Sequence, residues 1–117
     1  MKRIWHPELK DRWPSFPKHQ QLLMAANEVN RAHNMQSNLQ EYRNALESAL
    51  ELMDFIAADP RWRRQLSELR RAREVTAMYY IADQPQSTKT LMNCFILLEP
   101  SAWRYLHGIQ PLHPPAE

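Results

Sequence analysis

The residues with the clearest potential for chemistry are six arginines clustered in the second half of the chain. Guanidinium groups bind phosphates through paired hydrogen bonds, and each neutralised phosphate releases counterions. Residues seven positions apart lie on one face of a helix, as Arg63 does with Arg70 and Arg64 with Arg71. The pattern predicts a basic surface suited to a nucleic-acid backbone or another acidic partner. The six residues are Arg61, Arg63, Arg64, Arg70, Arg71 and Arg73.

An acidic segment just before these arginines favours a different interpretation. It carries four carboxylates and only one arginine, Arg43. If both segments are helices joined by a short connection, they lie antiparallel, and their charges can pair within the chain or across an oligomer. Exposed pairs of this kind stabilise by only ~0–1 kcal/mol each. Structural pairing and phosphate binding both remain open. The carboxylates are Glu41, Glu47, Glu51 and Asp54.

The spacing of the hydrophobic residues predicts the helices that position these charges. A capping-box pattern at Ser37 and Gln40 opens a predicted helix over 37–58, and Asp59-Pro60 combines a good N-cap with proline at the first position of a new helix over 60–82. The first of these helices carries an apolar seam with spacings of three and four, which is typical of a helix packed along its length. The seam consists of Leu39, Tyr42, Leu46, Ala49, Met53 and Ile56.

The remaining segments complete an all-α prediction. Apolar residues at helical period predict a helix over 18–34. A largely apolar run at 91–98 predicts another over 87–99, and a short helix follows over 101–107. Three prolines interrupt an aromatic N-terminal arm, 1–17, which is expected to be extended, with its aromatics buried against a helix groove. We therefore expect one domain, 1–117: a small bundle of four main helices with an extended arm and a Pro-rich tail, 109–117.

Composition excludes several classes of function. The sequence has one glycine, so that no Gly-rich phosphate loop can form, and one cysteine, Cys94, so that an intramolecular disulfide is impossible. No apolar run is long enough to span a membrane, and residues 1–7 lack the apolar run of a signal peptide, so that a cytoplasmic location is expected. The sequence contains no Glu-x-x-His spacing, the pattern that places two metal ligands on one face of a helix. We expect no metal, no cofactor and no membrane association.

Two short regions at the ends of the chain resemble a known family. Met1-Lys2-Arg3-Ile4-Trp5, Gln20-Gln21-Leu22-Leu23, Glu28 and Arg31 resemble the opening of the bacteriophage pyrimidine-dimer DNA glycosylases. The sequence after Pro100, with Trp103-Arg104-Tyr105 and Gly108, resembles their aromatic C-terminal segment. The likeness covers about a third of the residues.

This resemblance implies a specific chemistry. In that family the amine of the second residue, freed by removal of methionine, attacks the sugar C1′, a glutamate of the first helix assists, and arginines hold phosphates. By residue-by-residue transfer, Glu28 would be the catalytic acid, and Arg3 and Arg31 would contact phosphates. An α-amine, with a pKa near ~8, is a usable nucleophile at neutral pH. The residue here is Lys2, whose bulk disfavours removal of Met1.

Taken together, the sequence favours a non-enzymatic helical module that binds a protein partner or a nucleic acid, or that self-associates through the long seam and the aromatic arm. The candidate binding residues are Arg3, Arg31, Arg61, Arg63, Arg64, Arg70 and Arg71. The alternative is a DNA glycosylase/lyase-like base-excision enzyme that acts on damaged DNA with Glu28 as its catalytic residue.

Overall fold

The computed structural model describes residues 5–85, and this part of the chain contains helices and turns without a strand. Its α-helices are α1 (Lys18–Asn34), α2 (Leu39–Ala58) and α3 (Leu66–Ile81), with short 3₁₀ helices at Trp13–Ser15 and Pro60–Gln65. The all-helical prediction is confirmed for these residues. The helices predicted at 87–99 and 101–107, and the tail 109–117, lie outside them.

Helix α1 occupies the predicted range and presents one apolar side to the rest of the molecule. Leu22, Ala25, Ala26, Val29 and Ala32 are fully buried on that side. Pro17 precedes the helix, and its carbonyl accepts from the backbone N–H groups of Gln20 and Gln21, both at 3.0 Å. Proline suits this place because its fixed φ fits the start of a helix and no N–H is needed there.

Helix α2 begins two residues later than predicted and has a different cap. Asn38, not Ser37, is the N-cap, and its side-chain oxygen accepts from the backbone N–H of Glu41 at 3.2 Å. The prediction of a capping box at Ser37 and Gln40 is therefore wrong, since Asn38 offers an equally good acceptor one position nearer the first helical turn. Gln40 instead donates to Asn44 on the helix surface.

The predicted break at Asp59-Pro60 is confirmed, but the helix that follows changes type. The Asp59 carboxylate accepts from the backbone N–H of Arg61 at 3.0 Å, and Pro60 opens a 3₁₀ helix that extends to Gln65. The predicted helix 60–82 is thus a 3₁₀ segment followed by α3. Tighter 3₁₀ turns are common where a chain changes direction between helices.

Helix α2 is the centre of the bundle, because it packs on both α1 and α3. Each neighbour is antiparallel to it: Gln21 of α1 bonds to Asp59, and at the other end Arg31 approaches Glu41. Across α2 and α3, Asp54 pairs with Arg73, and Glu47 with Tyr80. The antiparallel hairpin predicted for these two helices is confirmed.

Side chains near the start of α2 donate hydrogen bonds to backbone carbonyls at the end of α3. The last carbonyls of a helix lack partners within it and need donors from elsewhere. The Tyr42 hydroxyl donates to the Tyr79 carbonyl at 3.3 Å, and the Arg43 guanidinium donates to the Ala82 carbonyl at 2.8 Å. These bonds hold the C-terminal end of α3 against α2.

The described part of the arm is folded rather than extended. Successive turns from residue 6 to residue 12 lead into the 3₁₀ helix Trp13–Ser15, because prolines exclude a regular α-helix but permit turns. Trp13 is 2% exposed and lies edge-on to Phe16 and tilted against Phe55. The expectation of an extended arm is therefore wrong, while its burial against the helices is confirmed.

The side-chain amide of Gln21 in α1 bonds to the arm and to the corner after α2, residues 59–62. Its nitrogen donates to the Trp13 carbonyl and to the Asp59 carboxylate, both at 2.9 Å, and more weakly to the Phe16 carbonyl at 3.3 Å. Its oxygen accepts from the indole N–H of Trp62 at 2.8 Å. Gln21 and Trp62 are fully buried, so the bonds of Gln21 to Trp13, Asp59 and Trp62 are made away from water.

Replacing Gln21→Ala should lower the free energy of unfolding by about 2–4 kcal/mol, because the buried Asp59 and Trp62 side chains lose their shared partner. Urea denaturation followed by circular dichroism would measure the change. Gln20→Ala is the matched control, since Gln20 is an exposed glutamine of the same helix turn. Equal stabilities of the two variants would contradict this role for Gln21.

Candidate functional site

The predicted basic surface forms on the outer side of the 3₁₀ segment and α3. Trp62, Leu69, Ala72 and Thr76 are buried on the inner side, which fixes the rotation of the segment about its axis. The arginines between these positions must therefore face solvent. Four of them are exposed and form no ion pair within residues 5–85: Arg63, Arg64, Arg70 and Arg71. We call these four residues the arginine face.

Charge pairing across the hairpin is much more limited than the sequence suggested. Arg73 of α3 pairs with Asp54 of α2 at 2.8 Å, and this bond raises the pKa of Arg73. Both side chains remain about 40% exposed, so the pair adds little stability. Among the described residues it is the one ion pair that joins the acidic segment to the arginine cluster.

The other carboxylates of α2 have partners on the opposite side from the arginine face. Glu51 accepts from the backbone N–H groups of Trp5 and His6, each at 2.7 Å. Glu47 accepts from the Trp5 indole at 3.1 Å and from the Tyr80 hydroxyl at 3.0 Å. The bond to Glu47, with burial, raises the pKa of Tyr80. These carboxylates hold the arm on α2 and are not available to the arginines.

Ser48 completes this attachment of the arm. Its hydroxyl lies 2.8 Å from Nε2 of His6, between Glu47 and Glu51 on α2. Ser48 is 1% exposed and Glu51 is 7% exposed, because residues 5 and 6 cover both. Sequence reasoning missed this contact. The spacing of Glu47, Ser48 and Glu51 beside the apolar seam gives no sign that backbone N–H groups of a distant segment bind there.

Arg61 belongs to the corner rather than to the arginine face. Its guanidinium pairs with Asp59 at 2.7 Å and donates to the Phe16 carbonyl at 2.7 Å. The bond from Arg61, with further bonds from Gln21 and the Arg61 backbone, holds the pKa of Asp59 far below its ordinary value against the opposing effect of burial. Arg61 therefore ties the arm to the start of the 3₁₀ segment.

A shallow depression lies on the solvent side of α3, with a volume of about 410 Å³. The side chains around it carry both donors and acceptors: Ser67, Glu68, Arg70, Arg71 and Glu74. No ion pair joins these glutamates to these arginines in the described part of the chain, although helical spacing brings the two types close together. The charged ends are therefore free for an external partner.

The family resemblance singled out Glu28, Arg31 and Arg3, and the structure describes the first two. Glu28 and Arg31 lie one turn apart on α1 and pair with each other: Oε2 of Glu28 accepts from Nε at 2.9 Å and from Nη2 at 2.7 Å. Arg31 also approaches Glu41 of α2, at 4.0 Å. The Glu28 side chain is 21% exposed. Arg3 lies outside the described residues.

Within residues 5–85, no group of three or more histidine, cysteine, aspartate or glutamate side chains is placed to hold a metal ion. In the same region, no helix is long and apolar enough to cross a membrane. Comparison of the sequence with protein-family models, with curated proteins and with solved structures gave no significant match.

Stability should fall as the pH is lowered, and part of this loss should depend on Asp59. Its pKa is depressed in the folded state, so its contribution is complete above the unfolded value of about 4 and disappears as the pH falls toward the folded pKa. Asp59→Asn should therefore be less stable than the wild type at pH 7, and this difference should shrink by at least ~1 kcal/mol at pH 3.

Urea denaturation at the two pH values would measure this difference. Asp11→Asn, which neutralises an exposed aspartate of the arm, is the control for a general change of charge. A deficit of Asp59→Asn that is the same at pH 3 as at pH 7 would show that the carboxylate contributes through its shape alone.

Proposed function

We propose that this protein is a helical module that binds the phosphate backbone of nucleic acids through the arginine face. The observation that carries the proposal is that four neighbouring guanidinium groups are exposed and form no ion pair in the described part of the chain. A cluster of like charges opposes folding unless something offsets it, and phosphates offset it well. The fixed rotation of the segment on α2 keeps all four on one side of the molecule.

The burial of the apolar seam favours nucleic acid over self-association. Tyr42, Leu46, Ala49, Met53 and Ile56 are fully buried by the chain itself. Trp13 of the arm is likewise in the core. The two features that suggested a second copy of the chain are thus already covered within one molecule. A protein partner with an acidic surface remains the competing form of this proposal.

The double variant Arg63→Gln/Arg64→Gln should bind a mixed-sequence DNA duplex at least tenfold more weakly than the wild type at low salt. The slope of log K against log salt should become less steep by about 2, because each lost phosphate contact removes about 0.9. Fluorescence anisotropy with a labelled duplex, at several salt concentrations, would measure both quantities.

The matched control is Lys10→Gln/Arg12→Gln, which removes the same charge from exposed positions of the arm. This control should change affinity and slope much less. Equal losses in the two double variants would mean that net charge alone drives binding. Absence of wild-type binding at low salt would refute the proposal and would leave an acidic protein as the partner.

A second candidate function, DNA glycosylase/lyase activity, is supported by the course of the arm. Trp13 contacts Phe55, His6 contacts Ser48, and Trp5 contacts Glu47, so the described arm runs toward the beginning of α2. The backbone N–H of Trp5 donates to Glu51, and Glu41, which Arg31 approaches, lies nearer the beginning of the same helix.

This candidate requires a covalent intermediate. The amine would add to C1′ of an abasic sugar with loss of water, and borohydride would reduce the resulting imine to a stable amine. We expect a trapped complex with abasic-site DNA, and a loss of at least tenfold in its yield for Glu28→Gln. Denaturing electrophoresis would detect the complex.

The exposed residue Glu8 provides the control variant, Glu8→Gln, which should trap as the wild type does. Mass spectrometry of the same sample would establish whether Met1 is present. No trapped complex, together with an intact Met1, would exclude this second function and would leave the binding proposal unaffected.

A further inference from the structure

We infer that α3 is a recognition helix that reads base pairs in the major groove of double-stranded DNA. This inference rests on the proposed function, since it specifies which nucleic acid the arginine face binds and how. It starts from the position of α3 at the edge of the described bundle. Leu69, Ala72 and Thr76 hold the helix on α2, and its other half faces solvent over its full length of 16 residues, about 24 Å.

One continuous stripe of exposed side chains follows this outer half. Positions spaced by three and four residues lie one above another on a helix. Ser67 and the arginines occupy the first part of the stripe, Glu74 lies one turn further, and the stripe ends in apolar residues. Met78 is 66% exposed and Ile81 is 73% exposed, although both are large and apolar. The stripe is Ser67, Arg70, Arg71, Glu74, Met78 and Ile81.

The chemical types along the stripe fit base edges better than phosphates alone. Arginine binds guanine O6 and N7, glutamate accepts from the cytosine amino group, and an apolar side chain can contact the methyl group of thymine. A surface that bound phosphates alone would be weakened by Glu68 and Glu74, because carboxylates repel them. The carboxylates are compatible with DNA binding if their acceptors meet exposed amino groups in the groove.

The geometry of the depression supports the same assignment. Arg70 and Arg71 stand beside Glu68 and Glu74 without pairing to them in the described residues, and a space of about 410 Å³ lies among these side chains. An α-helix fits the major groove, which is about 12 Å wide, and places such side chains against base edges. Arg63 and Arg64 precede this part of α3, and we assign them to the flanking phosphates.

The experiment is selection of bound sequences from a pool of random DNA duplexes by the full chain, followed by sequencing. We expect an enriched site that contains G·C pairs and that binds at least tenfold more tightly than a shuffled duplex. Glu74→Gln should change one selected position from cytosine to adenine, since glutamine pairs with adenine N6 and N7. Arg70→Lys should weaken the preference for guanine at another position.

Two further variants separate readout from general binding. Arg63→Gln/Arg64→Gln should weaken binding to every sequence alike and should keep the selected site, as expected for phosphate contacts. Glu8→Gln, in the arm, should change neither affinity nor site. All these residues are exposed, and circular dichroism would verify that the variants remain folded.

The outcomes distinguish this inference from the proposed function. Binding of the pool without enrichment, tighter binding of single strands, or a selected site unaffected by Glu74→Gln and Arg70→Lys would overturn the recognition-helix assignment and leave phosphate binding intact. Failure to bind any duplex or single strand at low salt would overturn both.

Discussion

The buried amide of Gln21 is the interaction on which the arrangement of the described residues depends. It connects backbone carbonyls of the arm, the Asp59 carboxylate and the Trp62 indole, and each group would be costly to bury without it. Arg61 then reaches from the same corner to the Phe16 carbonyl. The hydrogen bond to Gln21 holds Trp62 in the core, and Trp62 lies in the 3₁₀ segment that leads into α3. The bonds of Gln21 therefore also influence which residues of α3 face outward.

The consequences for function follow from how the acidic residues of α2 are used. Glu47 and Glu51 bind the arm, and Asp54 alone pairs with the arginine cluster among the described residues. The arm thus occupies two carboxylates of α2, and the burial of Trp62, Leu69 and Ala72 turns the arginine face toward solvent. The packing of the 3₁₀ segment and α3 on the bundle leaves Arg63, Arg64, Arg70 and Arg71 exposed and without an ion pair in the described residues.

The two candidate functions place different demands on the same bundle. Binding through α3 requires an exposed helix whose side chains are held at a fixed rotation, and the burial of Leu69 and Ala72 provides this. Chemistry at Glu28 requires a nucleophile brought to α1, and the arm runs in the appropriate direction. Both would act on nucleic acid, and α2 packs on each of the helices concerned.

The sequence by itself determined the helical class, the range of α1, the seam of α2 and the break at Asp59-Pro60. These features depend on residue types a few positions apart, so local sequence patterns are enough to predict them. Only the tertiary structure decided which carboxylates meet which cations. Glu51 binds backbone N–H groups of residues 5 and 6, and backbone groups carry no signature in a sequence. The choice between charge pairing and a free arginine face therefore required the packing of α3 on α2 and the position of the arm, a segment more than forty residues away along the chain.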